Sequence, residues 1–356
     1  MILIDGTLGE GGGQVLRSAL SLSAITGQAF TIENIRGKRK RPGLRLQHLT
    51  CVQAAAKVCN AEVQGAKLHS DRLVFIPGPF IKPGLYQWDI GSAGSTTLVL
   101  QTVLPILTMA GEDSEVEIRG GTHNPMAPPL DFIGESFIPL LADMGYYATV
   151  NLEQYGFYPQ GGGCIRARIK KRSEHIKLEV KTRPPLSRLR ARIIGCGLPE
   201  HVMVREREQL LTTGDFLTND IEIVRPNIRQ TANVVSIAAQ YGQLTSVFTG
   251  FGERGKRAEI VAQEVFEKAM LHHRTGLPLE GHLADQILLY LGLAGCGRFV
   301  TSDLSLHAFT NMEIIRTFLP VVFQKKELTN GWQLECLKKD TPVVTKKHMP
   351  GKRNHE

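Results

Sequence analysis

One pattern occurs three times in this chain, and the unequal spacing of its copies constrains the fold more than any other feature. Each copy consists of a glycine turn, an apolar helix, a closing glycine and a strand. The closing glycines are Gly27, Gly111 and Gly295, which lie 84 and then 184 residues apart. The longer interval leaves room for about 100 additional residues between the second and third copies. The sequence therefore predicts three similar units and one inserted domain.

Each copy is followed by a second amphipathic helix and by paired strands. In the first unit, the apolar residues of "LRLQHLTCVQAAAKVCN" have helical spacing, and "AEVQGAKLHSDRLVFIPG" alternates as strands do. The class is therefore α+β, and 42% hydrophobic residues are enough for a large core. We assign residues 1–182 and 275–338 to a large domain built from the repeats.

Residues 183–274 form the inserted domain in this interpretation. Strand, helix, strand, strand and helix are predicted from "RARIIGCG", "EHVMVREREQLLTTG", "DIEIVRP", "LTSVFTG" and "RAEIVAQEVFEKAMLHHR", which gives a βαββα order. The polar and basic residues 339–356 are predicted to be a flexible tail.

The first repeat opens with "GEGGGQVLRSALSLS", in which three glycines precede a helix. Consecutive glycines let the backbone approach a ligand closely, and the first N–H groups of a helix attract anions. Arg17 lies one helical turn after Gln14, so the two side chains can share a face. This stretch predicts either a phosphate site or only a tight turn.

A basic run follows the strand of the first repeat. Its six cations are Arg36, Lys38, Arg39, Lys40, Arg41 and Arg45. Arginine forks match phosphate oxygens, and the net charge of +8 favours an anionic partner. A solvated loop or a localisation signal is the alternative, but the run leads into a helix with Gln47 and His48, which favours ligand binding. Because no aromatic residue interrupts the run, base stacking is not indicated.

Several familiar patterns are absent or incomplete. "GFGERGKR" approaches a P-loop, but Arg257 stands where a Ser or Thr would hold magnesium, so we interpret it as a glycine turn. The six cysteines form no CxxC pair, which indicates reduced thiols and a cytoplasmic protein. The uncharged stretch between Asp89 and Glu112 is rich in Gly, Ser, Thr and Gln, which is typical of a buried helix rather than a membrane span.

One histidine is distinguished by its neighbours. His307 in "SLHAFTNME" comes just before a predicted helix start, near Ser305, Thr310 and Asn311. No Ser-His-Asp or HExxH arrangement supports a serine hydrolase or a zinc protease. From the residues alone, the chain is a soluble phosphate-binding protein of repeated α+β units.

These motifs, in this order, resemble the RNA 3′-terminal phosphate cyclase family. The resemblance runs from "DGTLGEGGGQVLRSALSLS" through "RPGLRLQHL", "GSAGSTTLVLQTVLP", "GGTHNPMAPPLDF", "GFYPQGGG" and "HLADQ" to "HAFTNMEI". It implies three βαβαββ units with a smaller inserted domain. It also implies an enzyme whose histidine takes AMP from ATP and passes it to an RNA 3′-phosphate, which then closes to a 2′,3′-cyclic phosphate as AMP departs.

The same resemblance assigns roles to positions in this sequence. His307 matches the nucleophile, and Glu10 matches the carboxylate that binds the divalent metal, Mg²⁺ or Mn²⁺. Positions that match contacts to the reacting phosphates are Gln14, Arg17, Arg36, Arg39 and Gln47. Positions that match nucleotide contacts are Gln101, Pro128, Phe132 and the block His282, Leu283, Ala284, Asp285 and Gln286. Asp285 is expected beside the ribose, and Pro128 and Phe132 beside the adenine.

Position 282 departs from the family pattern, because a tyrosine that stacks on adenine often opens this block and His282 stands here. Imidazole offers less stacking area, so the affinity for ATP is the property that this change affects. Two alternatives are a non-catalytic RNA-processing factor of the same fold and an enolpyruvyl transferase built from similar repeats. His307, Glu10 and Arg17 argue against the first, and the basic run favours a polymer over the substrate of the second.

Overall fold

The first repeat is a βαβαββ unit. The computed structural model describes residues 1–172, 174 and 176–339, so the predicted tail lies outside the described residues apart from Lys339. The unit contains β1 (Ile2–Asp5), α1 (Gly13–Thr26), β2 (Phe30–Glu33), α2 (Leu46–Cys59), β3 (Glu62–Gln64) and β4 (Leu73–Ile76). Helix α1 begins at the last glycine of the opening triplet, and it is terminated by Gly27, the residue after Thr26, whose φ of 71° is a left-handed conformation that glycine adopts easily.

The second repeat has the same order, but a π-helical turn interrupts its second helix. Its elements are β5 (Leu85–Asp89), α3 (Thr96–Leu107), β6 (Ser114–Gly120), α4 (Leu130–Phe132), the π-helical turn (Ile133–Phe137), α5 (Ile138–Ala142), β7 (Ala148–Gln154) and β8 (Gly163–Ile169). The uncharged stretch of the sequence contains α3, whose side chains are all buried except Gln101. Within the described ranges, no helix is both long and apolar enough to cross a membrane.

The third repeat begins with a two-residue strand and is then interrupted by the insertion. Strand β9 (Glu179–Val180) precedes the inserted elements β10 (Arg188–Cys196), α6 (Glu200–Leu211), β11 (Ile221–Val224), β12 (Ala232–Tyr241), β13 (Leu244–Phe251) and α7 (Ala258–Thr275). The repeat resumes with α8 (Gly281–Ala294), β14 (Cys296–Thr301), α9 (Leu306–Phe318), β15 (Val321–Leu328) and β16 (Gly331–Lys338). Because β9 pairs in parallel with β14, the insertion follows the first strand of the third unit. The sequence predicted an insertion between the second and third units, whereas the structure places it after β9, the short first strand of the third unit.

The three repeats share one sheet topology. Their strand orders are β1-β2-β4-β3, β5-β6-β8-β7 and β9-β14-β16-β15. In each sheet the first pair is parallel and the other two pairs are antiparallel. Helix α1 packs against α2, α3 and α9, and α8 packs against α9, in a hydrophobic core that all three units share. The predicted α+β class built from repeated units is thus confirmed.

The inserted segment has the order βαβββα, with one strand more than the predicted βαββα. The additional strand is β12, which pairs with β10 and β13 in the sheet β11-β10-β12-β13. Residues 233–239 of β12 are all buried, so their sequence lacks the alternation by which strands are predicted. A second hydrophobic cluster joins this sheet to helices α6 and α7.

A buried carboxylate in the insertion gives an unusual dependence of stability on pH. Glu206 of α6 is fully buried, and Asn233 Nδ2 donates to one of its carboxylate oxygens at 2.9 Å. The other oxygen has no hydrogen-bond partner in the described part of the chain. Burial raises the Glu206 pKa from 4.5 to about 7, so the native state binds this proton more tightly than the unfolded state. The resulting stability is fully present below pH 4.5 and is lost as the pH rises through 7.

We expect Glu206→Gln to stabilise the protein at pH 8 by about 3 kcal/mol and to have little effect at pH 5, because glutamine carries no charge to desolvate. Unfolding by urea at both pH values measures this difference. Glu208→Gln, at an exposed position of the same helix, is the matched control. The same effect of Glu206→Gln at both pH values would contradict the prediction.

Candidate active site

The opening glycines bring the backbone close to two charged side chains. Gly9 and Gly11 adopt left-handed conformations, with φ of 56° and 59°. A Cβ atom at Gly12 would lie 2.2 Å from Glu10 Oε1 and 2.6 Å from Arg39 Nη2, so a side chain at this position would displace the Glu10 and Arg39 groups from their contact. No side chain of the described residues caps the N-terminus of α1, whose first N–H groups remain available to an anion. The loop therefore joins a carboxylate, an arginine and an open helix end.

His307 reaches this loop from the first turn of α9. Its Nδ1 atom lies 2.9 Å from Gln14 Oε1, and its Nε2 atom lies 2.9 Å from Glu10 Oε2. Arg39 Nη2 donates to the same Glu10 oxygen at 2.6 Å. The hydrogen bond to Glu10 raises the pKa of His307 above 6.5. Burial opposes ionisation of Glu10, but His307 and Arg39 together outweigh burial and lower the Glu10 pKa.

A chain of hydrogen bonds holds Gln14 in the orientation that serves His307. Gln14 Nε2 donates to Asp285 Oδ1 at 2.9 Å, which leaves the Gln14 carbonyl oxygen facing the imidazole. Asn311 Nδ2 donates to the Asp285 carbonyl oxygen at 3.1 Å, and Ser18 Oγ donates to Asn311 Oδ1 at 2.8 Å. Because Gln14 Oε1 can only accept, His307 must keep a proton on Nδ1. Nε2 is therefore the ring atom left for chemistry.

Arg17 adds a cation to the site beside the glycine loop. Its guanidinium is partly buried and has no hydrogen-bond or ion-pair partner among the residues that the structure describes. Burial lowers the pKa of Arg17. The neighbouring His48 is 8% exposed, and burial together with Arg17, Arg36 and Arg45 lowers its pKa to about 3. His48 is thus neutral, and the desolvated Arg17 can gain strongly from binding an anion.

At two other positions predicted to contact phosphate, the side chains form hydrogen bonds to backbone groups of the protein. Arg36, at a φ of 56°, donates from Nη1 to the carbonyl oxygens of Arg41 and Gly43 at 2.7 and 3.0 Å. Gln47 Oε1 accepts from the Ser95 backbone N–H at 2.7 Å, which ties α2 to the start of α3. Arg36 would have to exchange these bonds to contact a phosphate, whereas Gln47 keeps its amide nitrogen for a ligand.

The positions predicted to contact the nucleotide differ in exposure. Gln101 Nε2 donates to Gln286 Oε1, and this hydrogen bond joins α3 to α8. His282 is exposed in the first turn of α8. Pro128 is partly exposed, and its carbonyl oxygen accepts from Thr97 Oγ1 at 2.7 Å. The members that pack in the hydrophobic core are Phe132 (4% exposed), Leu283 and Ala284. Contact of Phe132 with an adenine stays a prediction.

Three residues that support the site were assigned no role from the sequence. Glu280 caps α8 by accepting from the backbone N–H groups of His282 and Leu283 at 2.7 and 2.5 Å, although it is not a usual capping residue. Asn311 lies four residues after His307, so helical spacing alone could have placed both on one face. His48 adjoins Gln47, but its burial depends on tertiary packing that no local pattern reveals.

The glycine motif of the insertion, "GFGERGKR", forms the end of β13 and the turn that leads into α7. Lys256 Nζ lies 2.5 Å from Glu264 Oε2, and Arg257 Nε lies 3.6 Å from Glu259 Oε2. Carboxylates of the insertion thus neutralise both cations.

The site as a whole brings an oriented imidazole, a glycine loop and two arginines together, a combination suited to binding an anionic substrate. Comparison with known proteins identifies the family. The family model described as RNA 3′-terminal phosphate cyclase matches residues 8–325. The chain is 45% identical over 349 residues to the RNA 3′-terminal phosphate cyclase of Koribacter versatilis (strain Ellin345), and the match covers 97% of each chain. The chain belongs to the RNA 3′-terminal phosphate cyclase family, as its motifs predicted.

Proposed function

We propose that this protein converts the 3′-terminal phosphate of an RNA into a 2′,3′-cyclic phosphate, with ATP as the second substrate and AMP and pyrophosphate as products. The observation that carries the proposal is the orientation of His307, with Nδ1 held by Gln14 and Nε2 beside Glu10 and Arg39. An imidazole in this orientation can attack the α-phosphorus of ATP. The reaction then passes through a covalent histidine–AMP intermediate.

His307 must lose a proton before it attacks. Both ring nitrogens face acceptors, Gln14 Oε1 and Glu10 Oε2, and the raised pKa of His307 favours the imidazolium. Transfer of the Nε2 proton to Glu10 or to solvent frees the lone pair. That lone pair forms the N–P bond while the bond from the α-phosphorus to the bridging oxygen breaks and pyrophosphate leaves. Gln14 still accepts from Nδ1–H, so the positive charge that develops on the ring has a partner.

Positive charge near the glycine loop would stabilise the departing pyrophosphate. Among the described residues, Arg17 has no ion-pair partner and Arg39 pairs with Glu10 alone. Preorganised donors of this kind contribute roughly 10²–10³ each in rate when a charge develops in a site shielded from water. The phosphate-binding set in this proposal comprises Gln14, Arg17, Arg36, Arg39 and Gln47.

Glu10 fits a divalent metal, Mg²⁺ or Mn²⁺, that accompanies the triphosphate. Among the described residues, no group of three or more His, Cys, Asp or Glu side chains could hold a metal ion. Mg²⁺ is often bound by one or two carboxylates together with substrate phosphates and water, which a single glutamate satisfies. Glu10 Oε2 is engaged by Arg39 and His307, whereas Oε1 faces Gly12. The bound metal would neutralise charge on the triphosphate.

The nucleoside of ATP would lie between α3 and α8. Asp285 is proposed beside the ribose, and Pro128 and Phe132 beside the adenine. The remaining contacts in this proposal are Gln101, His282, Leu283, Ala284 and Gln286.

Two further transfers complete the reaction. An oxygen of the RNA 3′-phosphate attacks the phosphorus of the histidine–AMP, the N–P bond breaks, and His307 is regenerated. The neighbouring 2′-hydroxyl then loses its proton and attacks the terminal phosphorus. The phosphoanhydride bond breaks, AMP leaves, and the cyclic phosphate remains on the RNA.

A chase experiment tests the proposal. The protein is incubated with α-labelled ATP and Mg²⁺, freed of nucleotide, and mixed with an RNA that ends in a 3′-phosphate. We expect the protein-bound label to leave as AMP while a cyclic phosphate forms on the RNA. The same RNA with a 3′-hydroxyl is the control. Absence of protein-bound label, or equal release by both RNAs, would contradict the proposal and favour a non-catalytic RNA-processing factor.

A further inference from the structure

A strongly basic surface adjoins the site and contains side chains that the proposed chemistry does not use. Residues 34–61 include no Asp or Glu but seven Arg and Lys residues. Six of the seven lie in residues 36–45, which we term the basic loop. Because no carboxylate within this stretch offsets them, the basic loop attracts anions over a longer range than a single cation does.

The basic loop lies directly against the glycine loop. Lys38 Nζ donates to the Gly9 carbonyl oxygen at 2.6 Å, and Arg39 contacts Glu10 at 2.6 Å. A Cβ atom at Gly11 would lie 2.7 Å from Lys38 Cβ, which shows how closely the two backbones approach. The next residues, Lys40 and Arg41, are therefore adjacent in the chain to a side chain of the proposed active site.

Hydrogen bonds fix the path of the basic loop. The Arg39 backbone N–H donates to the Arg36 carbonyl oxygen at 3.0 Å, and the Gly43 N–H donates to the Ile35 carbonyl oxygen at 2.7 Å. The Arg36 guanidinium closes the loop by donating to the Arg41 carbonyl oxygen at 2.7 Å. The loop is thus a preorganised platform rather than a freely moving segment.

Lys40 and Arg41 are exposed on this platform. Within the described residues, neither side chain has a hydrogen-bond or ion-pair partner. Arg192 and Arg298, by contrast, are paired, the first with Asp131 and Glu222 and the second with Glu179. Lys40 and Arg41 are thus two free cations on a fixed loop beside the proposed phosphate site. Such cations are expected where a bound polyanion extends beyond that site.

We propose that Lys40 and Arg41 bind the backbone phosphates of the RNA strand upstream of its 3′-terminal phosphate. The inference rests on the proposed function, because it takes the terminal phosphate to lie at His307. Residues 34–61 contain no Phe, Trp or Tyr that could stack on a base. The contact therefore recognises the charge of the phosphates and not the identity of the bases. The surface thus fits single-stranded RNA of any sequence, and its contribution grows once the strand is long enough to reach it.

The double variant Lys40→Ala/Arg41→Ala tests this proposal. Its control, Lys82→Ala/Arg254→Ala, removes one exposed lysine and one exposed arginine elsewhere, so the change in net charge is identical. The Lys82 backbone N–H donates to the Val58 carbonyl oxygen near the C-terminal end of α2, whereas the basic loop precedes the N-terminal end of this helix. Both variants are first labelled with α-labelled ATP, which must proceed as in the wild type because neither alters the proposed ATP site.

The main measurement is the affinity for a fluorescent RNA of about 20 nucleotides with a 3′-phosphate, determined by anisotropy at several salt concentrations. We expect the Lys40/Arg41 variant to bind about tenfold more weakly at low salt. Two phosphate contacts are worth roughly 1.4 in the slope of log affinity against log salt, so the slope should become shallower by that amount. The control variant should match the wild type.

Two results would overturn the proposal. One is unchanged RNA binding, or a loss no larger than in the Lys82/Arg254 control. The other is an equal defect in transfer of AMP to a nucleoside 3′-monophosphate, which has no upstream phosphate, since that would place the two cations at the terminal phosphate itself. A wild-type protein that binds RNA but takes no label from ATP would instead contradict the proposed function, because the anisotropy measurement needs no catalysis.

Discussion

With His307→Ala, α-labelled ATP should no longer label the protein, and we expect the rate of incorporation to fall by a factor of at least about 10³. The reason is that alanine removes the Nε2 atom, which lies 2.9 Å from Glu10 and is the only ring nitrogen not held by Gln14. Label on the wild type should be acid-labile and base-stable, as a phosphoramidate is. Gel autoradiography after each treatment measures both properties.

The control for this variant is His201→Ala, at an exposed position on α6 in the insertion. It removes an imidazole from the same chain without touching the site. Thermal unfolding with and without ATP shows whether His307→Ala still folds and binds nucleotide. Wild-type labelling of a folded His307→Ala variant would mean that another side chain is the nucleophile.

The second large effect is expected for Glu10→Gln, which should slow labelling by roughly 10²–10³ at saturating metal and ATP. Glutamine keeps the shape of the side chain but loses the charge that Arg39 and His307 contact at 2.6 and 2.9 Å. It also loses the proposed metal ligand. Glu62→Gln, at an exposed position on β3, is the control and should label at the wild-type rate.

The pH profile distinguishes this variant from a merely damaged one. In the wild type, Glu10 raises the His307 pKa above 6.5, so the neutral nucleophile accumulates only as the pH rises beyond that value. Without the carboxylate, the imidazolium loses its main stabilising partner and the His307 pKa falls. The rising limb of the Glu10→Gln profile should therefore move to lower pH while its maximum drops. A profile that only scales down, with no shift, would show that Glu10 does not control protonation of His307.

The fold was predictable where glycines mark the ends of the repeated helices. Glycines at 13 and 27 mark the ends of α1, and the pattern returns at α3 and α8 because each unit buries one apolar helix in the common core. The two features that were not predicted lack such signals. Strand β9 has only two residues, too few for any periodicity, and β12 is buried along most of its length. In both cases tertiary pairing defines the strand.

The same contrast applies to the site. Glu10, Gln14 and His307 were predicted as site residues, and the structure places Glu10 and Gln14 each within hydrogen-bonding distance of His307. The direction of the Arg36 guanidinium could not be predicted, because it depends on a left-handed backbone and on carbonyl groups of its own loop. The hydrogen bonds of Asn311 likewise depend on how α8 and α9 pack, which is a property of the assembled units.

The hydrogen bond between Gln14 and His307 joins residues 293 positions apart, and this separation has a consequence during synthesis. The glycine loop emerges from the ribosome long before His307, and the arginines of the basic loop soon follow the glycine loop. His307 arrives only after the second unit and the whole insertion have been made, and domains of a growing chain fold largely in the order of their synthesis. An incomplete chain can thus contain the glycine loop and these arginines but lack His307, the proposed nucleophile. On the proposed mechanism, the chain can react with a nucleotide only after the third unit has packed against the first.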